Sequence, residues 1–174
     1  MKKLTIVLAI IITVLAINKD SEVIIPKDSI RFRVIANSDS ESDQLLKKKV
    51  VSNLNPNIIN LLSSSSSLTD SRNNIENNLT LFDNIVKNTL KENNSTETYT
   101  INYGMNYFPE KEYKGTVYKE GEYESLVVTL GEGKGKNFWC VLFPPLCLLE
   151  AEDSTKTTDV EYKSFIKEII DKYF

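Results

Sequence analysis

The sequence predicts an α+β fold, a mixed α/β layer in which helices pack on one face of a sheet rich in antiparallel strands. Three observations support this prediction. An alternating apolar segment comes first, segments with helical spacing follow, and all six glycines fall in a later strand-and-turn region between Gly104 and Gly135. A further segment with helical spacing closes the sequence. This order favours helices layered on a single sheet.

The first predicted strand runs from Ile30 to Ala36. Apolar side chains alternate there with two arginines, which is typical of a strand that is buried on one face. Ser40, followed three residues later by Asp43, resembles a capping box and predicts the start of a helix. That helix is expected to continue from Gln44 to Leu54, with acidic residues near its start and lysines later.

Residues 52–98 have an unusual composition, since 12 of these 47 residues are Asn and 8 are Ser. Such a composition lowers helix propensity. Apolar residues nevertheless keep helical spacing, which predicts an amphipathic helix from Asp70 to Lys91, capped by Thr69 or Asp70. A short helix from Ile58 to Leu62 is also expected.

The second half of the chain is predicted to supply most of the sheet. Alternating apolar residues between glycine-containing turns indicate these strands. The expected strands are Thr98–Tyr107, Thr116–Tyr118, Glu122–Leu130 and Asn137–Phe143, and the closing helix is Asp159–Tyr173.

Length and composition limit the possible functions. The chain has 174 residues, 41% of them apolar, which suits one domain over residues 30–174 preceded by a linker over residues 18–29. A net charge of −3 disfavours nucleic acid as the main partner. The sequence has no histidine and two cysteines, which excludes histidine-based catalysis, histidine metal ligands and four-cysteine zinc sites. We therefore expect neither a metal nor a cofactor.

Residues 1–17 bear on the compartment. A basic start is followed by fourteen uncharged residues from Leu4 to Ile17. As a helix this run spans roughly 21 Å, less than a bilayer core of about 30 Å, and the pattern is typical of an export signal with cleavage at Ala16. The alternatives are an uncleaved anchor that contacts the membrane through residues 4–17 and a buried core helix. Either export interpretation places the domain outside the cytoplasm.

Cys140 and Cys147 lie in the segment NFWCVLFPPLCL. A turn centred between Phe143 and Pro144 places the two cysteines directly opposite each other on antiparallel strands, within disulfide reach. The predicted feature is therefore a hairpin closed by a disulfide, worth roughly 2–2.5 kcal/mol in the chain-entropy model. The alternative is a pair of free buried cysteines. A redox pair is disfavoured because the CxxC spacing is absent.

The segment LGEGKGK from Leu130 to Lys136 is rich in glycine and lysine. It fits neither of the common glycine-rich phosphate-binding motifs. We interpret it as a bent, exposed loop between strands, serving either structure alone or recognition. Trp139, nearby, is either a half-buried aromatic residue of the sheet or an anchor at an interface.

Two groups of carboxylates lie close together in the sequence and bear on acid–base chemistry. They are Asp39, Glu41 and Asp43, and Glu120, Glu122 and Glu124. Asp39, Glu41 and Asp43 are explained by the electrostatics of a helix start. Glu122 and Glu124 alternate along a strand and are expected to face solvent. A glycosidase needs two carboxylates across a cleft, which neither group implies. Calcium binding is disfavoured because the loop lacks the spacing and the central glycine of an EF-hand.

Two stretches together resemble one family. The stretch from Ile30 to Val50, IRFRVIANSDSESDQLLKKKV, resembles the opening of stage II sporulation protein R, and the stretch from Gly121 to Cys147, GEYESLVVTLGEGKGKNFWCVLFPPLC, resembles its C-terminal block. The spacing between the blocks and the N-terminal export segment also fit. The resemblance implies a protein made in the forespore of endospore-forming bacteria and secreted into the intermembrane space of the sporulation septum.

The resemblance also implies a partner. Members of this family trigger a membrane-embedded aspartic protease of the mother cell, which then cleaves the precursor of the mother-cell sigma factor. By this interpretation the chain is an activating ligand and not an enzyme. Its binding would favour the active arrangement of the protease through a higher affinity for that state.

Two segments are the predicted partner contacts, because both lie in the resembling blocks. The first is a turn, with residues Asn37, Ser38, Asp39 and Asp43. The second is a loop and strand, with residues Gly131, Glu132, Gly133, Lys134, Gly135 and Trp139. The alternative is that both segments serve packing alone. Two other classes of function remain: an extracytoplasmic cell-wall hydrolase or wall-binding module, and a structural domain held at the membrane.

Overall fold

The fold was derived from a computed structural model, which describes residues 26–113, 116–147 and 159–173. The apolar run of residues 4–17 and the predicted cleavage point Ala16 lie outside the described residues. In chain order the elements are β1 (Ile30–Ile35), α1 (Glu41–Leu62), α2 (Leu68–Asn77), α3 (Leu79–Glu92), β2 (Tyr99–Phe108), β3 (Lys111–Tyr113), β4 (Thr116–Tyr118), β5 (Gly121–Leu130), β6 (Asn137–Phe143) and α4 (Asp159–Tyr173).

The main sheet has four strands in the order β2-β5-β1-β6. Strand β1 pairs in parallel with β5 and antiparallel with β6, and β2 pairs antiparallel with β5. Strands β3 and β4 form a separate two-stranded ribbon. The predicted α+β class with a mainly antiparallel sheet is confirmed.

Strand β1 lies inside the sheet and is buried on both faces. The prediction that it is half buried is wrong, since Arg31 is 1% exposed and Ile35 is 7% exposed. On one face Ile30, Phe32 and Val34 join a core that includes apolar residues of α1, α2 and α3. On the other face Arg31 lies opposite Val141 of β6, which contacts a second apolar cluster containing Ile166 of α4.

Helix α1 begins as predicted but ends later. The Ser40 side chain accepts a hydrogen bond from the backbone N–H of Asp43, at 3.2 Å. The helix then continues through Pro56 to Leu62, so the short helix predicted from Ile58 to Leu62 is the last part of α1. Proline inside a helix costs about 3 kcal/mol, whereas fully burying each of Ile58 and Leu62 contributes about 1.5–3 kcal/mol. Burial therefore offsets the proline.

The helix predicted from Asp70 to Lys91 is two helices that meet at Asn78. The predicted cap was wrong as well, because Ser67 is the residue that accepts a hydrogen bond from the Asp70 N–H, at 3.1 Å. The apolar spacing still places the expected side chains inward. Those that are fully buried are Ile75, Phe82, Val86 and Leu90.

The Cys140–Cys147 disulfide is present, with the two Cα atoms 5.5 Å apart. Cys147 does not lie on a return strand, however, because residues 144–147 form a turn. Pro144 and Pro145 have no N–H groups to donate to a strand partner, which disfavours a second strand here. The turn is held by a hydrogen bond from the Leu146 N–H to the Val141 carbonyl oxygen, at 3.2 Å.

Candidate functional site

The two predicted contact segments lie together at one end of the sheet. The turn after β1 and the loop that joins β5 to β6 meet through two backbone hydrogen bonds. The Lys134 N–H donates to the Asn37 carbonyl oxygen at 3.0 Å, and the Gly135 N–H donates to the Ala36 carbonyl oxygen at 2.9 Å. We call this pair of segments, residues 37–43 and 131–136, the turn–loop site.

Side chains of the turn also bind the loop backbone. The Asn37 side-chain oxygen accepts from the Glu132 N–H at 2.9 Å, and the Asp39 carboxylate accepts from the Lys136 N–H at 2.7 Å. Each residue therefore satisfies a backbone donor that a loop would otherwise leave to water. Asn37 and Asp39 act here as anchors of the loop.

Asp43 is the polar centre of the turn. Its carboxylate accepts from the Ser38 hydroxyl at 2.6 Å and from the Asn37 amide at 3.2 Å. Hydrogen bonds to the charged form, with that from Ser38 the strongest, hold the pKa of Asp43 below its usual range. The carboxylate therefore stays ionised and fixes the shape of the turn.

Three glycines allow the loop to approach the turn closely. Gly131 and Gly133 have φ angles of +54° and +65°, in the region that favours glycine. A Cβ atom on Gly131 would collide with the Asn37 side chain. A Cβ atom on Gly135 would collide with the carbonyl oxygen of Ser38. Larger residues would separate the two segments.

The tip of the loop presents two opposite charges to solvent. The Glu132 and Lys134 side chains are 69% and 75% exposed, and they form an ion pair with each other. An exposed pair of this kind contributes little to stability. Glu132 and Lys134 are thus members of the turn–loop site that are accessible to a partner.

Lys47 and Glu97 adjoin the turn–loop site, and no sequence pattern predicted either of them. Lys47 is only 7% exposed, which is unusual for a lysine. Its amine donates to the Lys136 carbonyl oxygen at 3.0 Å and to the Gln44 side chain at 2.7 Å, and burial lowers its pKa. Burial, together with the Asp43 carboxylate, raises the pKa of Glu97.

A surface cleft of about 270 Å³ borders the turn. Asp43, Lys49 and Glu97 line it, as does Leu45, an apolar residue that is 51% exposed. The cleft offers a partner both charged groups and an apolar contact next to the turn–loop site.

Trp139 lies on the face of the sheet that carries Arg33. Its ring packs edge-on against Phe108, with the centroids 5.0 Å apart, and the Lys111 amine lies 5.0 Å from the ring centroid. Trp139 is half buried, so it is an aromatic residue of the sheet that remains partly accessible.

The two glutamates of β5, Glu122 and Glu124, differ in exposure, although both were expected to face solvent. Glu122 is exposed as predicted, but Glu124 is not directed to solvent. Glu124 pairs with Arg72 at 2.7 Å and accepts from the Tyr103 hydroxyl at 2.6 Å. The hydrogen bond from Arg72 lowers the pKa of Glu124, which makes it a structural carboxylate.

Neither a group of three potential metal ligands nor a helix long and apolar enough to cross a membrane occurs in residues 26–113, 116–147 and 159–173. Within these ranges, hydrogen bonds join polar groups of the turn–loop site to one another and to Thr98, Gln44 and Lys47 just outside it.

Comparison with known proteins gave a clear family match. The family model described as stage II sporulation protein R matches residues 26–153. The chain is also 35% identical over 155 residues to stage II sporulation protein R of Bacillus subtilis (strain 168), covering 89% of this chain and 69% of that protein. No solved structure matches.

Proposed function

The chain belongs to the stage II sporulation protein R family, and on this basis we propose that it is an exported messenger that activates a membrane-embedded aspartic protease of the mother cell. The activated protease then cleaves the precursor of the mother-cell sigma factor. A role in sporulation follows from the family itself. The observation that carries the proposal is the family match over residues 26–153, which includes both segments of the turn–loop site.

The proposed compartment is the intermembrane space of the sporulation septum. The apolar run of residues 4–17 supports export from the forespore, either with cleavage at Ala16 or as an anchor. The Cys140–Cys147 disulfide supports a location outside the reducing cytoplasm.

The turn–loop site is the proposed contact with the protease. Anchoring by Asn37, Asp39 and Lys47 holds the loop in one conformation, so its tip needs little ordering on binding. Glu132 and Lys134 at that tip supply charges that can pair with the partner. Binding that favours the active arrangement of the protease would shift its population without catalysis by this chain.

The proposal is tested in sporulating cells. Deleting the gene should block processing of the sigma-factor precursor, and the wild-type gene should restore it. E132A/K134A should slow processing roughly tenfold, the effect of losing about 1.4 kcal/mol of binding free energy. Immunoblots of precursor and product over time measure this rate.

The matched control is K87A/E92A, which also removes one lysine and one glutamate, both exposed on α3. It should process the precursor at the wild-type rate and reach the same level in the septum. Normal processing after gene deletion would reject the proposed function. Normal processing in E132A/K134A alone would reject this contact surface.

A further inference from the structure

The sheet face opposite helices α1 to α3 contains a buried cation, Arg31, that forms no ion pair within the part of the chain that the structure describes. Arg31 is 1% exposed, and its three guanidinium nitrogens have no hydrogen-bond partner among the described residues. Its Cζ atom lies 3.3 Å from the ring centroid of Tyr123 and 5.4 Å from that of Phe108. Aromatic rings stabilise a cation only partly, and an uncompensated buried charge is costly.

Two more cations lie beside Arg31. The Arg33 Cζ atom is 5.4 Å from the Phe108 centroid and 5.9 Å from that of Trp139, and one of its nitrogens donates to the Tyr107 carbonyl oxygen at 3.3 Å. The Lys111 amine lies near Trp139. We call Arg31, Arg33, Lys111, Phe108 and Trp139 the cation–aromatic face.

Acidic side chains of the described residues form no ion pair with the cations of this face. Within the described ranges, the two ion pairs join Arg72 to Glu124 and Lys134 to Glu132, and neither includes a cation of the face. Three positive charges are thus concentrated on a chain whose net charge is −3. Burial lowers the pKa of both arginines, while Tyr123 and Tyr118 partly offset this effect at Arg31.

We propose that the cation–aromatic face binds an acidic peptide segment of a protein partner. Guanidinium groups match carboxylates in a planar, two-bond geometry, and tryptophan and arginine are enriched where protein interfaces are strongest. The half-buried Arg33, Lys111 and Trp139 would touch the segment, while Arg31 adds positive potential from beneath. This inference deepens the proposed function and rests on it for one point, namely that the segment belongs to the activated protease.

The observations favour a protein over an anionic membrane. Lipid recognition by basic clusters uses roughly four to eight Lys or Arg side chains near the surface. This face has three cations, of which Arg31 is buried and Arg33 is half buried beside rings. The chain as a whole is acidic, which opposes contact with an extended anionic surface more than contact with a short acidic segment.

Peptide binding to the full chain, kept in neutral detergent, tests the inference. The probe is a short fluorescein-labelled peptide in which glutamate alternates with serine, and the reference probe has glutamine in place of glutamate. Fluorescence anisotropy should show binding of the acidic probe at least tenfold tighter than the reference. R33Q/K111Q should weaken binding of the acidic probe roughly tenfold.

The matched control is K48Q/K87Q, which also removes two positive charges, both exposed on helices. It should change the affinity by less than about twofold. Equal losses in both double variants would overturn the inference, because binding would then depend on net charge alone. Equal binding of the two probes would overturn it as well.

A vesicle assay distinguishes a lipid partner from a protein partner. The contrary result has two parts: the wild-type chain binds phosphatidylglycerol vesicles but not the acidic probe, and R33Q/K111Q abolishes the vesicle binding. This result would show that the face binds lipid and would overturn the inference. Circular dichroism checks that each variant folds. If R33Q/K111Q does not fold, K111Q alone is tested. It should weaken binding of the acidic probe about threefold, and unchanged binding would contradict the inference.

The same variants separate this inference from the proposed function. If gene deletion blocks precursor processing but R33Q/K111Q processes it normally, the protease does not use this face and the inference fails while the function stands. If deletion leaves processing intact, the function fails, and the peptide assay then decides the binding chemistry alone.

Discussion

Arg31 shows how far a single residue can depart from a local pattern. Alternation along β1 correctly separates its side chain from Phe32 and Val34, which face the helices. The pattern implies that the other face meets solvent, whereas β2, β5 and β6 bring Phe108, Tyr123 and Val141 over it. Contacts between residues far apart in sequence decide this burial, so local spacing did not predict it.

Replacing Arg31 with methionine is expected to leave the free energy of unfolding unchanged or to raise it. Methionine keeps an apolar chain between the rings and removes a buried charge. Replacing even a paired buried charge by apolar residues of similar volume is often neutral or stabilising, by about 1–4 kcal/mol, and we expect the same sign here. R31A should instead destabilise the protein because it leaves a cavity. Urea unfolding at neutral pH measures both variants.

A loss of more than about 2 kcal/mol in R31M would show that the cation–aromatic contacts themselves hold the fold together. If R31M is stable but binds the acidic peptide more weakly, the charge serves recognition.

At the scale of elements, local signals predicted some parts well. The bounds of β4, β6 and α4 agree with the expected strands Thr116–Tyr118 and Asn137–Phe143 and the expected helix Asp159–Tyr173. Errors arose where tertiary contacts outweigh propensity. Helix α1 passes through Pro56, the break at Asn78 interrupts regular apolar spacing, and strand β3 was not predicted.

The two segments of the candidate site were predicted, but their contact with each other was not. This contact follows from the parallel pairing of β1 with β5, because parallel strands have their C-terminal ends at the same end of the sheet. A single sequence carries no local signal for such a pairing. Glycine spacing was informative, since Gly131 and Gly133 do adopt positive φ angles. The binding role of the predicted residues stays a prediction.

Substitution of Gly135 tests the link between the two segments. G135A should lower the free energy of unfolding by roughly 1–3 kcal/mol, because the new Cβ atom would push the Ser38 carbonyl away. K134A, at the exposed position before it, should change stability by less than about 0.5 kcal/mol. Equal stability of G135A and the wild type would mean that the loop can move without losing its anchors.

At the scale of the whole molecule, Arg72 and Glu124 connect the helical layer to the sheet. Arg72 lies on α2 and Glu124 on β5, and the guanidinium donates two hydrogen bonds to the carboxylate, at 2.7 and 2.8 Å. Tyr103 of β2 adds a third at 2.6 Å. Burial first, and then the bond to Glu124, raises the pKa of Tyr103, so its hydroxyl remains a donor at neutral pH.

This connection predicts how the domain responds to acid. An unperturbed glutamate has a pKa of about 4.3, and the pKa of Glu124 in the folded protein is lower. The stabilising effect of Glu124 is therefore complete above the unfolded pKa and is lost as pH falls through the folded pKa. Between about pH 6 and pH 3, wild type should therefore lose more stability than E124Q. Urea unfolding across this range measures the difference.

E122Q provides the control, because Glu122 is an exposed glutamate on the same strand. Its acid response should parallel that of wild type. An identical acid response in wild type and E124Q would show that the Glu124 contacts do not favour the ionised form.

The position of β1 limits where the domain can work if the apolar run is not removed. Strand β1 begins at Ile30 between two partner strands, so the fold tolerates little unravelling at this end. In that anchored form, residues 18–29 would be the linker between the domain and the membrane that holds the anchor, with a maximum reach of roughly 40 Å. A receptor on the opposing membrane would be engaged only where the two bilayers come within that reach plus the width of the two proteins.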